Sequence, residues 1–354
     1  MDTYKLNFEQ VLNRKLHLMP IFLDYLSNKI IVITGAGGSL GSSICLKLAT
    51  SNSKLILIEH DEERMDKVCT LLKNEHYDKY GFEDKFYPYL VDIRDYRALL
   101  NIFHRHLPNY VIHTASYKYV DLIEENKFNA IKTVNYATQY LLELSLKYEV
   151  QHFLHISTDK AVEPINVYGV LKRLAELECI MHMKMKSNKS TKISVLRVPN
   201  IIDSIGSVFH KFIYQINHSI PITIAEGDYS RYFVTLDETS RLALSILCFH
   251  PIYDLFYMNS GPALQIYHLA SNLFNILNDN KTVFMTSSIK FIHPKATNKL
   301  TELLCYEFEK SNDLGIVNGV KYNEVDIYAL KDFIDSFINK FKYKNVKYID
   351  FYSK

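Results

Sequence analysis

Cysteine is sparse and scattered in this sequence. Cys45, Cys69, Cys179, Cys248 and Cys305 are odd in number and never form a Cys-x-x-Cys pair. This excludes a disulfide framework or a cysteine-based zinc site and fits a reducing compartment. An excess of one charge is lacking as well. With 41 Lys and Arg against 39 Asp and Glu, the formal net charge is +2, so no general basic surface attracts nucleic acid and any anionic ligand must be met by a local site. Long apolar runs are absent: Leu16 to Leu26 contains His17, Pro20 and Asp24 and is too short to span a bilayer. Asp2 and Glu9 stand where a signal peptide would be basic, so no such peptide is expected. The close pairs His104/His106 and His152/His155 lack Cys or carboxylates in a ligand pattern, and no metal site is expected. These absences describe a cytoplasmic protein with no membrane span and no nucleic-acid partner.

What is present is a regular alternation. The 354 residues, 48% hydrophobic and 23% charged, have an ordinary globular composition and exceed one average domain. Ile30–Thr34, Lys54–Glu59, Phe86–Val91, Tyr110–Thr114, His152–Ser157 and Ile193–Val198 read as buried strands with amphipathic stretches between them. Such alternation predicts an α/β fold, a Rossmann-like doubly wound parallel sheet. The expected domains are a helical lead-in over 1–28, a sheet domain over 29–199, a smaller lobe over 200–310 with some chain returning to the sheet, and a C-terminal helix and tail over 311–354. Phe8, Val11 and Leu12 give the lead-in helical spacing and place it on the outside. Leu330, Phe333, Ile334, Phe337, Ile338 and Phe341 give the C-terminal segment one apolar face, read as docking on its own chain or a sister subunit.

The first strand runs into Thr34-Gly35-Ala36-Gly37-Gly38-Ser39-Leu40-Gly41, and a helix is predicted from Ser42. Glycines permit a sharp turn and close backbone approach, and the following helix N-terminus presents N–H groups to a pyrophosphate. Gly35, Gly38 and Gly41 have the spacing of short-chain dehydrogenases. Glu59 closes the second strand, where a carboxylate accepts from ribose hydroxyls and disfavours a 2′-phosphate. NAD is therefore the expected cofactor, with NADP kept possible by His60 and Arg64. Asp92 and Ile93 end the third strand and Ala115 the fourth, completing the expected cofactor set with Ser39 and Leu40.

Thr158, Asp159 and Lys160 follow the fifth strand, and Tyr168 and Lys172 lie four apart on the next predicted helix. Residues so spaced share a face, so an ammonium at 172 can lower the phenol's pKa while both meet a cofactor and a sugar hydroxyl.

These segments carry a resemblance. His113-Thr114-Ala115-Ser116-Tyr117-Lys118, Ser157-Thr158-Asp159-Lys160-Ala161-Val162 and Lys172-Arg173-Leu174-Ala175-Glu176 resemble the capsular-polysaccharide group of extended short-chain dehydrogenases, the UDP-N-acetylglucosamine 4,6-dehydratases. The resemblance implies a lyase acting on a nucleotide-linked sugar for surface polysaccharide synthesis, working as a homo-oligomer. It implies Lys160 as base, Asp159 as acid, and Lys118, Asn200 and Arg231 as substrate contacts. An NDP-sugar 4-epimerase or dehydrogenase, or a silent cofactor-binding scaffold, is the alternative. Ser204-Ile205-Gly206-Ser207 lacks the arginine usual after Pro199-Asn200, and His293-Pro294-Lys295-Ala296-Thr297-Asn298-Lys299 departs from R-P-G-E-K. The nucleotide carrier thus stays open.

Overall fold

The computed structural model describes residues 6–76, 82–184, 190–249, 254–279, 288–307, 309, 311–313 and 317–320. Six strands fall where the apolar runs predict them: β1 (Ile30–Thr34), β2 (Lys54–Glu59), β3 (Phe86–Leu90), β4 (Tyr110–His113), β5 (His152–Thr158) and β6 (Lys192–Val198). A seventh, β7 (Leu255–Met258), pairs parallel with β6. Two short antiparallel strands, β8 (Ser311–Asp313) and β9 (Val317–Val320), complete the sheet, whose order is β8-β9-β7-β6-β5-β4-β1-β2-β3. This is the predicted doubly wound architecture. The stretch read as leading into the C-terminal helix therefore first adds two strands, and the helix expected around Leu330–Phe341 lies outside the described residues.

Helices α1 (Ser39–Leu48), α2 (Glu62–His76), α3 (Tyr96–His106), α4 (Ala137–Lys147) and α5 (Val167–Lys184) connect the first six strands. Parallel pairing requires such crossovers, and helices on both faces explain why β4 and β5 are buried at every position and read as continuous apolar runs. Local chemistry sets the ends. Asp95 caps α3 by accepting from Ala98 N–H at 3.1 Å, and Asn166 supports the start of α5 by accepting from Gly169 N–H at 2.8 Å. The strand order reverses between β1 and β4, so their C-terminal ends open a crevice, the standard ligand position in such sheets.

A second core lies beyond β6. It joins α6 (Val208–Asn217) and α8 (Ile266–Asp279) through Phe209, Phe212, Ile216, Leu269 and Leu273, and takes in Val11 and Leu12 from the lead-in. Those two residues are 0% and 6% exposed. The lead-in, expected on the outside, is a core element because a five-residue helix (Phe8–Leu12) supplies its one apolar face to an otherwise open lobe. Arg14 fixes it further with a two-pronged pair to the fully buried Glu238 of α7 (Leu236–Phe249), at 2.7 and 3.0 Å. No described helix is long and apolar enough to cross a membrane.

Candidate active site

The glycine turn between β1 and α1 is shaped by backbone contacts. Gly35 has φ +68°, and a Cβ there would meet the Ala115 backbone at 2.9 Å, so the loop lies directly on the end of β4. A Cβ on Gly41 would stand 2.1 Å from the Gly35 carbonyl. Gly35 and Ala36 N–H donate to Ile58 O, and Gly37 N–H donates to Glu59 Oε2 at 3.2 Å. Gly38 precedes α1 without a side-chain cap, so the first-turn N–H groups of Ser39 and Leu40 have no intrahelical acceptor. A narrow glycine cradle, a helix N-terminus and a buried carboxylate at the end of β2 are the donor and acceptor set a dinucleotide needs, and the residues fit that group. Ile93 is buried beside this crevice, whereas Asp92 is partly exposed and ion-paired to Arg94, which holds its carboxyl below the usual range.

The reaction corner forms at the C-terminal end of β5. Gly169 lets α5 press onto the turn after β5, since a Cβ there would lie 2.2 Å from Lys160 O. Lys160 Nζ donates to Asp159 Oδ1 at 3.0 Å and to Asn200 Oδ1 at 3.2 Å. Asn200 Nδ2 donates to Tyr232 O at 3.2 Å, which turns the amide oxygen towards the lysine. Thr158 Oγ1 donates to Asp159 Oδ1 at 3.0 Å, leaving Asp159 Oδ2 buried without a protein partner. The structure thus gathers Thr158, Asp159, Lys160 and Asn200 into one cluster, and the buried Tyr168 phenol lies within the influence of Thr158 and Asp159.

Burial pushes the Tyr168 phenol up, the Thr158 hydrogen bond opposes this, and the Asp159 carboxylate reinforces it. The Lys172 ammonium donates to Ile156 O at 2.6 Å. Burial brings Lys172 itself down to about 8, partly offset by Glu176.

The other expected substrate residues are engaged by the protein. Lys118 donates to Ile205 O, while Ile205 N–H donates to Ser39 Oγ at 3.0 Å. The segment with isoleucine in place of arginine is therefore strapped to the glycine loop by its backbone. Arg231 directs its fork to the carbonyls of Ser230, Lys299 and Leu300. It anchors the late His293–Lys299 segment, which also reaches the reaction corner through Asn166 Nδ2 to Thr297 O at 3.0 Å and Lys299 Nζ to Val162 O at 2.5 Å.

Two buried groups had no signal as site residues. Thr34, His113 and His155 lie side by side on adjacent strands by register. His113 is bonded to Thr34 and Thr138 hydroxyls, but neither ring nitrogen of His155 has a hydrogen-bond partner. Below them, Glu176 and Arg173 of α5 meet Arg197 of β6 and Glu309 in a buried ionic cluster. Only the pairing of β5 with β6, which sets Ser157 beside Arg197, makes this cluster visible. No cluster of metal-binding side chains occurs among the described residues, and all five thiols are free.

Comparison with known proteins places the chain in a family. The family profile described as Polysaccharide biosynthesis protein matches residues 31–320, and the chain belongs to that family. Within it, the chain is 33% identical over 279 residues to the capsular polysaccharide biosynthesis protein CapD of Staphylococcus aureus, covering 77% of this chain and 45% of that one. It thus spans under half the length of that relative. A protein of Rickettsia rickettsii named UDP-glucose 4-epimerase is 29% identical, with 87% of each chain covered. Among solved structures, Pen from Bacillus thuringiensis superposes with a TM-score of 0.75 at 21% identity, over 88% of this chain and 98% of that one, which supports the fold.

Proposed function

We propose that this chain is an NAD-dependent nucleotide-sugar 4,6-dehydratase that makes a 4-keto-6-deoxy sugar for surface polysaccharide synthesis. The observation that carries this reading is the Lys160–Asp159 ion pair of 3.0 Å, its carboxylate buried and its ammonium partly exposed, at the end of β5 beside Thr158 and Tyr168. Eliminating water from a 4-keto sugar needs a base at C5 and an acid at the C6 hydroxyl. One proton shifted along that contact, from Nζ to Oδ1, converts the ion pair into an amine and a carboxylic acid. The amine then takes the C5 proton, and the carboxyl protonates the departing hydroxyl, so water leaves and no net charge builds up.

Asn200 holds the amine in place by accepting from it. Tyr168 and Thr158 form a hydroxyl pair able to move the C4 hydroxyl proton. When bound, a nicotinamide dinucleotide supplies reversible hydride transfer between C4 and C6, with no net oxidation. Glu59 at the ribose position favours NAD over NADP. The charge-neutral hydroxyl pair alone would suit a 4-epimerase, and the match to the Rickettsia relative over 87% of each chain favours that as the second reading.

Mass spectrometry and NMR after incubation with UDP-, GDP-, CDP- and dTDP-linked hexoses separate the two. A dehydratase gives a product lighter by one water; an epimerase gives no mass change. Lys160→Ala should abolish exchange of the C5 hydrogen with solvent deuterium, whereas Asp159→Asn should keep exchange and lose dehydration. Normal C5 exchange in Lys160→Ala would sink the assignment of the base.

A further inference from the structure

The ionic cluster under the reaction corner ties the late part of the chain to the reactive turn. Arg197 is 0% exposed and bridges two carboxylates. Its Nε and Nη2 donate to Glu176 Oε1 and Oε2, both at 2.8 Å, and its Nη1 and Nη2 donate to Glu309 Oε2 and Oε1 at 2.5 and 2.8 Å. Arg173 Nη1 donates to both acids, at 2.9 and 3.3 Å. Two guanidinium groups and two carboxylates cancel, so the buried group is neutral as a whole. Burial pushes Glu176 up, yet the Arg197 guanidinium prevails and holds it at about 2.

Two connections from this cluster end on the turn that carries Asp159 and Lys160. Ser157 Oγ donates to Glu176 Oε1 at 2.7 Å, fixing the residue before Thr158. Tyr306 lies with its ring 4.6 Å from the Arg173 guanidinium, and its N–H donates to Glu309 Oε2 at 3.0 Å. Its hydroxyl donates to Ala161 O at 3.0 Å, on the far side of Lys160. The turn is thereby held at both ends. Buried ion groups are a poor source of stability, because removing four charges from water costs about what their attraction returns. What they supply here is direction: a forked cation accepts only one arrangement of two carboxylates.

We propose that Arg173, Glu176, Arg197, Glu309 and Tyr306 are positioning residues that set the geometry of the reactive turn 157–161, so that turnover requires Tyr306 and Glu309 to be docked against it. This rests on the dehydratase reading for the identity of the reaction, but not for the geometry of the turn. None of the five bonds directly to Asp159, Lys160 or Tyr168. They act through Ser157 and Ala161.

The test uses the full chain with Tyr306→Phe, which removes one oxygen and should fold, and Glu309→Gln, which removes one charge. For each, kcat and KM are measured together with amide hydrogen exchange over 157–162 and the melting temperature. Misplacing the turn by a fraction of an ångström should lower kcat by about tenfold in each variant with KM changed by less than about twofold. Exchange at 157–162 should become faster while β1, β2 and the glycine loop keep their protection. Adding Arg173→Gln to Glu309→Gln restores neutrality, and the double variant should lose less than the product of the single losses. A fall in melting temperature with unchanged kcat and unchanged exchange at 157–162 would overturn the proposal, leaving the cluster a purely structural device. If the unsubstituted chain converts no nucleotide sugar, the dehydratase reading falls, and exchange at 157–162 alone then decides the positioning role: unchanged exchange in both variants refutes it.

Discussion

At the glycine turn the crevice is lined by main-chain groups and a single buried carboxylate, Glu59. Two strands further across the sheet, the turn after β5 is built from side-chain charge: buried Asp159 and Lys172 and partly buried Lys160, with Arg173, Glu176 and Arg197 beneath. The first region needs only close approach and free N–H groups, which glycine and a helix start provide at little cost. On the dehydratase reading the second moves protons, and groups that change charge have to be held where water does not level their behaviour. Binding can therefore be made from backbone, whereas reaction is made from desolvated side chains at some expense in stability.

Two glycines let this comparison be broken directly, with the largest expected effects. A Cβ on Gly41 would meet Gly35 O at 2.1 Å, and one on Gly169 would meet Lys160 O at 2.2 Å. Gly41→Ala should abolish dinucleotide binding in calorimetric titration while β5 and its turn stay intact. Gly169→Ala should retain the dinucleotide and lose turnover by about a hundredfold, since it displaces Lys160 and Tyr168 together. Equal loss of dinucleotide affinity in both would mean that the two regions are not separable.

A smaller effect sharpens the claim that the reaction corner is costly. Lys172 is brought down to about 8 in the folded chain, below the roughly 10.4 of an unfolded lysine. A depressed lysine penalises folding wherever it must be charged, in full below about pH 8, and the penalty fades as pH rises to about 10.4. Lys172→Met should therefore raise stability near pH 7 by about 2 kcal/mol while losing activity. Thermal melts at two pH values test this, and a lower melting temperature at pH 7 would show that Glu176 already compensates the charge.

The smallest effect concerns the histidines under the crevice. Burial and then the Lys172 charge bring His113 down to about 3, and the same causes with His113 added depress His155. Both must be neutral when folded, so stability is present above the unfolded value of about 6.5 and falls as pH drops below it. His155 has no hydrogen bond to lose. His155→Leu should flatten the acid slope of the denaturant midpoint between about pH 6.5 and pH 5; an unchanged slope would mean that His155 does not titrate on unfolding.

Much of the crevice is legible in the sequence because its signals are local. The six strands read as apolar runs, the glycine spacing announces a turn, and Ser157–Val162 and Tyr168–Lys172 are each contiguous or one helical turn apart. β7 is not legible in the same way, being four residues long in a stretch where proline punctuation loosens the pattern. Arg231 is expected from the resemblance to contact substrate, yet its fork is engaged by carbonyls brought beside it from 299 and 300.

By itself, then, the sequence determined the doubly wound sheet, the glycine cradle with Glu59, and the adjacency of Thr158, Asp159 and Lys160, since each depends on spacing within one element or between neighbours. Only the tertiary structure decided that Asn200 turns its amide oxygen to Lys160, that the lead-in closes a second core, and that Arg197 meets Glu309. Those contacts span 40 to 224 residues of chain, as from Lys160 to Asn200 and from Arg14 to Glu238. Their partners are chosen by strand register and packing, which no local periodicity encodes.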